Sequence, residues 1–307
     1  MKKQKIYFHI DVNSAFLSWS GLLHRGEPGY PEKIQEIPAA IGGNEQNRHG
    51  IVLAKSVAAK RFGVQTGEPL ARAREKCPEL LVFPPDYDQY VRCSRKLMKL
   101  LSEYSPSVEP YSIDEAFVDM TGMEKLFGEP LDCAQKIRVR IRKELGFTVN
   151  VGISVNRLLA KMASDFEKPD KVHTLFPEEV PEKMWPLPVR ELFGVGRSTE
   201  KKLEKLGIHT IGELAGSDRE FLVRNLKSQG KVLWEYANGI ESSPMVGREG
   251  ENKGYGNSVT LPRDLLTQEE ARLVVLSLCE TVGARLRMDQ MKGSVVTVQL
   301  GDSSFRR

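Results

Sequence analysis

Apolar residues run almost unbroken from Ile6 to Val12, interrupted by His9 and Asp11, which is the pattern of a short buried strand. Residues 14–84 are mixed in character and punctuated by Gly and Pro, with helical spacing over 57–62. Val91, Leu97, Leu100 and Leu101 fall on one side of a helix over 90–104. The segments 108–113 and 116–120 read as two strands around a tight turn. A basic amphipathic helix is predicted over 133–145, with Ala134, Ile137, Ile141 and Leu145 on its apolar face. A Val- and Ile-rich strand over 147–155 runs directly into a helix over 156–166. Beyond Pro169 the texture changes: Pro177, Pro181, Pro186 and Pro188 punctuate short helical pieces, and 190–239 reads as small helices only. A polar, Gly-rich stretch over 239–256 has the character of a linker. A strand over 256–261, a helix over 268–288 and an alternating strand over 295–300 follow. A unit of about 50 residues is small for an independent core. The last domain is therefore expected to be cut short, with the chain stopping before its natural C-terminus.

Composition narrows the class without deciding it. The 307 residues are 40% hydrophobic and 28% charged, as in an ordinary soluble globular protein of two or more domains. A net charge of +4 permits a polyanionic partner without demanding one. Local charge says more: residues 136–171 hold nine basic side chains against four acidic ones. Cys77, Cys93, Cys133 and Cys279 are far apart and form no C-x-x-C pair, which argues against a disulfide framework or a structural zinc site. His9, Asp11 and Asn13 interrupt any signal-peptide core, and no stretch approaches the roughly 18 apolar residues a membrane helix needs. A cytoplasmic location is the expectation.

Three carboxylates stand out by position. Asp11 ends the first strand, and Asp114 with Glu115 occupies the turn between two others. Carboxylates at the ends of neighbouring strands can converge on one point, and hard divalent cations favour such oxygen ligands. Each of the three also reads as a turn acid or a solvated surface acid, and spacing alone leaves both readings open.

The wording of the chain goes further. HIDVNSAF at 9–16 and SIDEAFVDM at 112–120 resemble the two catalytic motifs of Y-family DNA polymerases, in particular those of the bacterial DNA polymerase IV type. RFGVQTGEPL at 61–70, GISVNRLLAKMASDFEKP at 152–169 and LFGVGRSTEKKLEKLGIHTIGEL at 192–214 are similar to further motifs of the family, in the family's order. The resemblance runs from about Ile6 to the last residue. It implies that Asp11, Asp114 and Glu115 are the metal carboxylates, with the backbone carbonyl of Val12 completing one shell. Asp11 and Asp114 would hold the nucleotide-side magnesium and Glu115 would serve the catalytic one, two Mg2+ ions in all. Phe16 matches the steric gate that excludes a 2′-hydroxyl, and Lys161 offers a compact charge to the triphosphate. In the fingers, the Tyr and Arg that many relatives carry read Val57 and Lys60 here. Lys60 can meet phosphate only as a point charge, Val57 cannot donate at all, and Lys55 is a candidate substitute. Ala15 stands where relatives often have an aromatic, and Asn13 replaces a common second acid and is not expected to be essential. Gly194 and Gly196 resemble the turn of a helix-hairpin-helix, which grips DNA backbone without reading sequence. Lys201, Lys202 and Lys205 add charge there or form a solvated face. The basic helix with Lys136, Arg138, Arg140, Arg142 and Lys143 reads either as a charged outer face or as a DNA contact. Trp185 and Trp234 read as small-domain core.

The fold implied is α+β, a right hand: a ferredoxin-like antiparallel palm (1–12 and 84–172), small fingers (13–83), a helical thumb with the helix-hairpin-helix (173–240), a linker (241–251) and an incomplete α/β little finger (252–307). The activity implied is template-directed addition of dNTPs to a primer 3′-OH, with low fidelity and translesion synthesis. Its partners would be primer–template DNA and dNTP, with a sliding clamp bound through a C-terminal region missing here, and no membrane; the chain would act as a monomer. Three rivals are weighed against it. A non-catalytic DNA scaffold would need lost carboxylates. A nucleotide cyclase gives no reason for the thumb. A helix-hairpin-helix glycosylase or nuclease leaves the palm motifs unexplained.

Overall fold

The computed structural model describes residues 4–27, 30–31, 34–43, 50–241, 252 and 254–301. Along the chain the elements are β1 (Tyr7–Val12), α1 (Ala15–Leu23), β2 (Ala39–Gly42), β3 (Val52–Lys55), α2 (Val57–Arg61), α3 (Leu70–Lys76), β4 (Leu81–Phe83), α4 (Tyr87–Leu101), β5 (Val108–Pro110), β6 (Glu115–Asp119), α5 (Glu124–Phe127), α6 (Pro130–Glu144), β7 (Val149–Ser154), α7 (Arg157–Ser164), β8 (Val172–Thr174), α8 (Val180–Lys183), α9 (Arg197–Lys205), α10 (Ile211–Ala215), α11 (Arg219–Leu226), α12 (Ser228–Ala237) and α13 (Gln268–Met288). Their contacts divide the chain into two units, Met1–Gln35 with Asp86–Gly247, and Glu36–Pro85 with Arg248–Arg307.

The first unit is built on a five-stranded sheet of order β5-β6-β1-β7-β8. The strand β1 lies at its centre, antiparallel to both β6 and β7, and only β8 runs parallel to its neighbour. Both faces of the sheet are covered, so β1 reads as a continuous apolar run. Phe8, Ile10 and Val12 face α1, α4 and α6, in a core with Trp19, Tyr90, Leu97, Ile137 and Ile141. Alternation along the strand sends Tyr7, His9 and Asp11 to the opposite face, where α7 packs. Phe117 of β6 joins Leu158, Leu159 and Met162 of α7 in a second core that continues into α8–α12. Trp185 and Trp234 pack against that core and donate their indole N–H groups to the carbonyls of Ala237 and Ser217, both at 3.0 Å.

Local signals explain the boundaries. Asp86 caps α4 by accepting from Gln89 N at 3.0 Å, so this helix begins at Tyr87, three residues before the apolar spacing alone suggests. Asn156 caps α7 in the same way through Leu159 N at 2.8 Å.

In the second unit β2 pairs antiparallel with β3 and parallel with β4. Ala40, Val52, Ala59, Leu70 and Leu80 form its small core. The helix α13 spans the predicted range and is capped by Thr267, but none of its residues is buried. The expected strands over 256–261 and 295–300 do not form. Val295 and Val298 are 80% and 58% exposed. Alternating side chains supply an apolar face, but a strand also needs a neighbour for its N–H and C=O groups, and this segment provides none. Of the linker expected over 241–251, residues 242–251 lie outside the described residues. All four cysteines are free thiols. Among the described residues no helix is long and apolar enough to cross a membrane.

Candidate active site

The register of the central sheet decides which residues meet. Asp11 pairs directly with Glu115 on β6 and with Asn150 on β7, and His9 pairs with Phe117 and Gly152. Paired residues share a face, so Asp11, Glu115, His9 and Asn150 all project toward α7 at one end of the sheet. Asp114 precedes Glu115, and its carbonyl accepts from Val12 N at 3.1 Å, which ties the turn to the end of β1. Gly152 lets α7 come close: a Cβ at this position would stand 1.9 Å from the carbonyl oxygen of Ala160.

That close approach delivers α7 side chains into the carboxylate group. Lys161, only 8% exposed, donates to Glu115 Oε1, and its ammonium lies 5.0 Å from the Tyr111 ring centroid and 5.8 Å from that of Phe193. Ser164 Oγ–H donates to the Lys161 carbonyl at 2.8 Å, so the His9 Nδ1 contact at 2.8 Å is a donation from the imidazole. His9 Nε2 then carries a lone pair, 3.7 Å from Glu115 Oε1. Burial, and after it the charges of Lys161 and Lys168, hold His9 well below the usual imidazole value, so the ring is neutral. Ser112 Oγ lies 2.6 Å from Asp114 Oδ1 and 3.1 Å from Glu115 Oε2. Lys168 Nζ donates to Asp11 Oδ2 at 2.5 Å and sits 2.8 Å from Asp165. Burial pushes the Asp11 carboxyl up to about 6 despite that ammonium.

Among the described residues no three acidic, His or Cys side chains are gathered around a single point. The reason is local: each carboxylate is turned toward an ammonium or a hydroxyl. The donor set nevertheless fits a hard divalent cation. Three carboxylates share one end of one sheet, Asp11 is buried enough to be costly as an isolated charge, and two ammonium groups stand where positive charge is required.

Phe16 lies in the first turn of α1, half-buried. Its ring stacks on Tyr90 at a centroid distance of 4.4 Å and an interplanar angle of 7°, with Tyr87 edge-on at 6.2 Å. Tyr90 is held in turn by Ser20, at 2.8 Å between the hydroxyls. Gly194 takes φ +89 in the turn before α9, and Gly196 caps that helix; both are exposed. Lys60 belongs to the second unit, exposed in the last turn of α2, where Val57 is also exposed; Lys55 Nζ lies 3.5 Å from Thr66 Oγ1.

Family models describe the chain in three consecutive matches: the impB/mucB/samB family over residues 10–165, the IMS family HHH motif over 177–208, and the impB/mucB/samB family C-terminal domain over 252–307. The chain is 49% identical over 306 residues to DNA polymerase IV of Clostridium acetobutylicum, covering 98% of this chain and 76% of that relative. This chain is a member of the Y-family of DNA polymerases. It is also 40% identical to DNA polymerase IV 1 of Bacillus subtilis, covering 99% of this chain and 72% of the other. Among solved structures, DinB from Sulfolobus solfataricus matches 79% of this chain and 69% of its own at 25% identity and TM-score 0.68. A Y-family DNA polymerase chimera shares the fold at TM-score 0.77 and 23% identity, over 91% of this chain and 80% of that one. Y-family polymerases use divalent metal ions, in keeping with the donor set at the end of β1.

Sequence reasoning passed over four residues of this Y-family site. Lys168 was visible inside the 152–169 motif, seven residues beyond Lys161 and next to Pro169, yet only the fold sets it on Asp11. His9 and Ser112 flank the candidate carboxylates in sequence. Asn150 carried no sequence signal at all.

Proposed function

We propose that this chain is a DNA-directed DNA polymerase that extends a primer on a template, with the low fidelity and translesion synthesis of its family. The observation that carries this reading is the pairing of Asp11 with Glu115 on adjacent central strands, with Asp114 beside them, at one end of a palm sheet. The hand is then divided as palm (1–12 and 84–172), fingers (13–83), thumb (173–240) and little finger (252–307).

Asp11, Asp114, Glu115 and the Val12 carbonyl would hold two Mg2+ ions. When bound, these ions stabilise charge at the attacking 3′-oxygen and the leaving pyrophosphate. The protein's own groups do the rest. The primer 3′-oxygen attacks the α-phosphate of a paired dNTP, and pyrophosphate departs. Lys161 and Lys168 neutralise Glu115 and Asp11, and would release these carboxylates where a divalent cation took over that role. Lys168, about one-third exposed beside Asp11, would be free to turn its ammonium to the triphosphate. Lys161, nearly enclosed against Tyr111 and Phe193, adds fixed positive potential behind the reacting phosphate. The Phe16 ring, backed by Tyr90, lies beneath the sugar and excludes a 2′-hydroxyl. The turn at Gly194 and Gly196, with the N-terminus of α9, grips a backbone phosphate.

The test is primer extension on an undamaged template with magnesium and dNTPs, set against the Asp114→Ala, Glu115→Ala double variant. Template-directed products from the parent alone are expected. Nucleotide consumption without template would favour a cyclase, and extension surviving in the double variant would refute the site.

A further inference from the structure

The loop 165–171 joins α7 to β8 and carries Lys168 at its middle, so whatever holds the loop aims that ammonium. Its fixings come from three distant parts of the chain. Asn13 Oδ1 accepts from Asp170 N at 2.9 Å, and Asn13 Nδ2 donates to Asn150 Oδ1 at 3.1 Å. Asn150 Nδ2 donates to the carbonyls of Ser164 at 3.0 Å and Glu167 at 2.7 Å, while its Oδ1 also accepts from Lys171 N at 3.2 Å. Asn150 is fully buried and Asn13 is 7% exposed, so the bond between the two amides and the bond to the Ser164 carbonyl are shielded from water, and the other three are partly so. From α6, Arg138 lies 2.8 Å from Asp170 Oδ1 and donates to the Asp170 carbonyl at 2.9 Å, and Arg142 lies 3.2 Å from Oδ2. Asp170 is held at φ +61, a left-handed conformation that a non-glycine residue keeps only when its surroundings impose it.

The chemistry of the two amides is matched. Asn150 uses both donors and both acceptor positions. A carboxylate at position 13 could accept from Asp170 N but could not donate to Asn150 Oδ1. Asn150 would have to face it with a lone pair, or turn over and lose its bonds to Ser164 and Glu167.

We propose that Asn13, Asn150 and Asp170, with Arg138 of α6, are positioning residues for Lys168: together they fix the 165–171 loop so that its ammonium swings between Asp11 and the triphosphate of the incoming nucleotide. This rests on the reading of Lys168 as a triphosphate contact. It gives Asn13 a duty, and it assigns the Arg138 side of the basic helix to the loop.

The experiment measures dATP affinity for the protein on a dideoxy-terminated primer–template, where no chemistry follows, together with kcat and KM for single-nucleotide insertion. The variants are Asn13→Ala, Asp170→Asn, Lys168→Met and the two doubles that combine each with Lys168→Met. Asn13→Ala and Asp170→Asn are each expected to weaken dATP binding by roughly tenfold and to raise KM more than they lower kcat. Neither should add to the defect of Lys168→Met, because residues acting through one group are not additive. Asn13→Asp, which keeps the acceptor for Asp170 N but turns a lone pair toward Asn150 Oδ1, should weaken binding at least as much as Asn13→Ala. Additive doubles, or single variants that bind dATP as the parent does, would overturn the positioning role. Parental binding by Lys168→Met would overturn the phosphate contact itself, and the positioning role with it. Asp170→Asn, at the edge of the fold and isosteric, keeps the comparison usable if Asn13→Ala unfolds.

Discussion

Gly152→Ala tests how the site is assembled, because it perturbs only the distance between β7 and α7. The added Cβ would stand 1.9 Å from Ala160 O and 2.5 Å from Ser164 N, whereas ordinary contact begins near 3.4 Å. Both neighbours are helix backbone, so no side-chain rotation relieves the clash, and α7 must retreat by about 1.5 Å, the difference between 3.4 and 1.9 Å. Overpacking of this kind costs about 1–3 kcal/mol, and the rigidity of both partners puts this case at the upper end. At roughly 2–4 °C per kcal/mol for a unit of this size, the unfolding temperature should fall by about 6–12 °C. The same retreat draws Lys161 from Glu115 and Ser164 from His9, so primer extension at permissive temperature should drop along with stability. Circular dichroism melting and single-nucleotide insertion read the two effects. A variant that melts within about 1 °C of the parent and extends primers at the parent's rate would refute the claim that glycine at 152 sets the depth of α7.

Other consequences follow from the same geometry. Phe16→Ala should raise ribonucleotide relative to deoxynucleotide insertion by at least about tenfold, measured as a ratio of kcat/KM; unchanged sugar discrimination would remove the gate. Asp11→Asn should stabilise the metal-free protein in EDTA at pH 8 and do so about half as much at pH 5. The Asp11 carboxyl rises from 3.8 to about 6 on folding, so its contribution to stability is full below the unfolded value and is lost as pH rises through 6. That loss amounts to at most about 3 kcal/mol at about 1.4 kcal/mol per pH unit, and equal effects of Asp11→Asn at the two pH values would contradict it. The logarithm of primer–template affinity should fall linearly with the logarithm of salt concentration, and a flat response would count against a phosphate-gripping thumb. Gly194→Val should weaken that affinity equally on unrelated sequences, and a preference for certain sequences would count against a backbone grip.

The sequence alone determined the elements whose causes are local. The Ile6–Val12 run, the apolar stripe of 133–145 and the capped span 268–288 each carry their period and their end signals within a few residues, and their elements lie close to the predicted ranges. The candidate carboxylates could be picked out for a similar reason, since Asp11 and the Asp114–Glu115 pair sit inside contiguous motifs, and the register of β1 and β6 brings Asp11 beside Glu115. Tertiary structure decided what depends on residues far apart in the chain. Lys168 reaches Asp11 across 157 residues, and the Asn13–Asn150 pair closes 137. Neither contact leaves a periodic trace. Arg138 and Arg142 look like a solvated face in sequence, because a helix pattern records which side is apolar and says nothing of which acid meets the other side. The segments 256–261 and 295–300 show the converse: alternation expresses a capacity for strand formation, and only a partner strand, supplied by the fold, turns that capacity into a sheet.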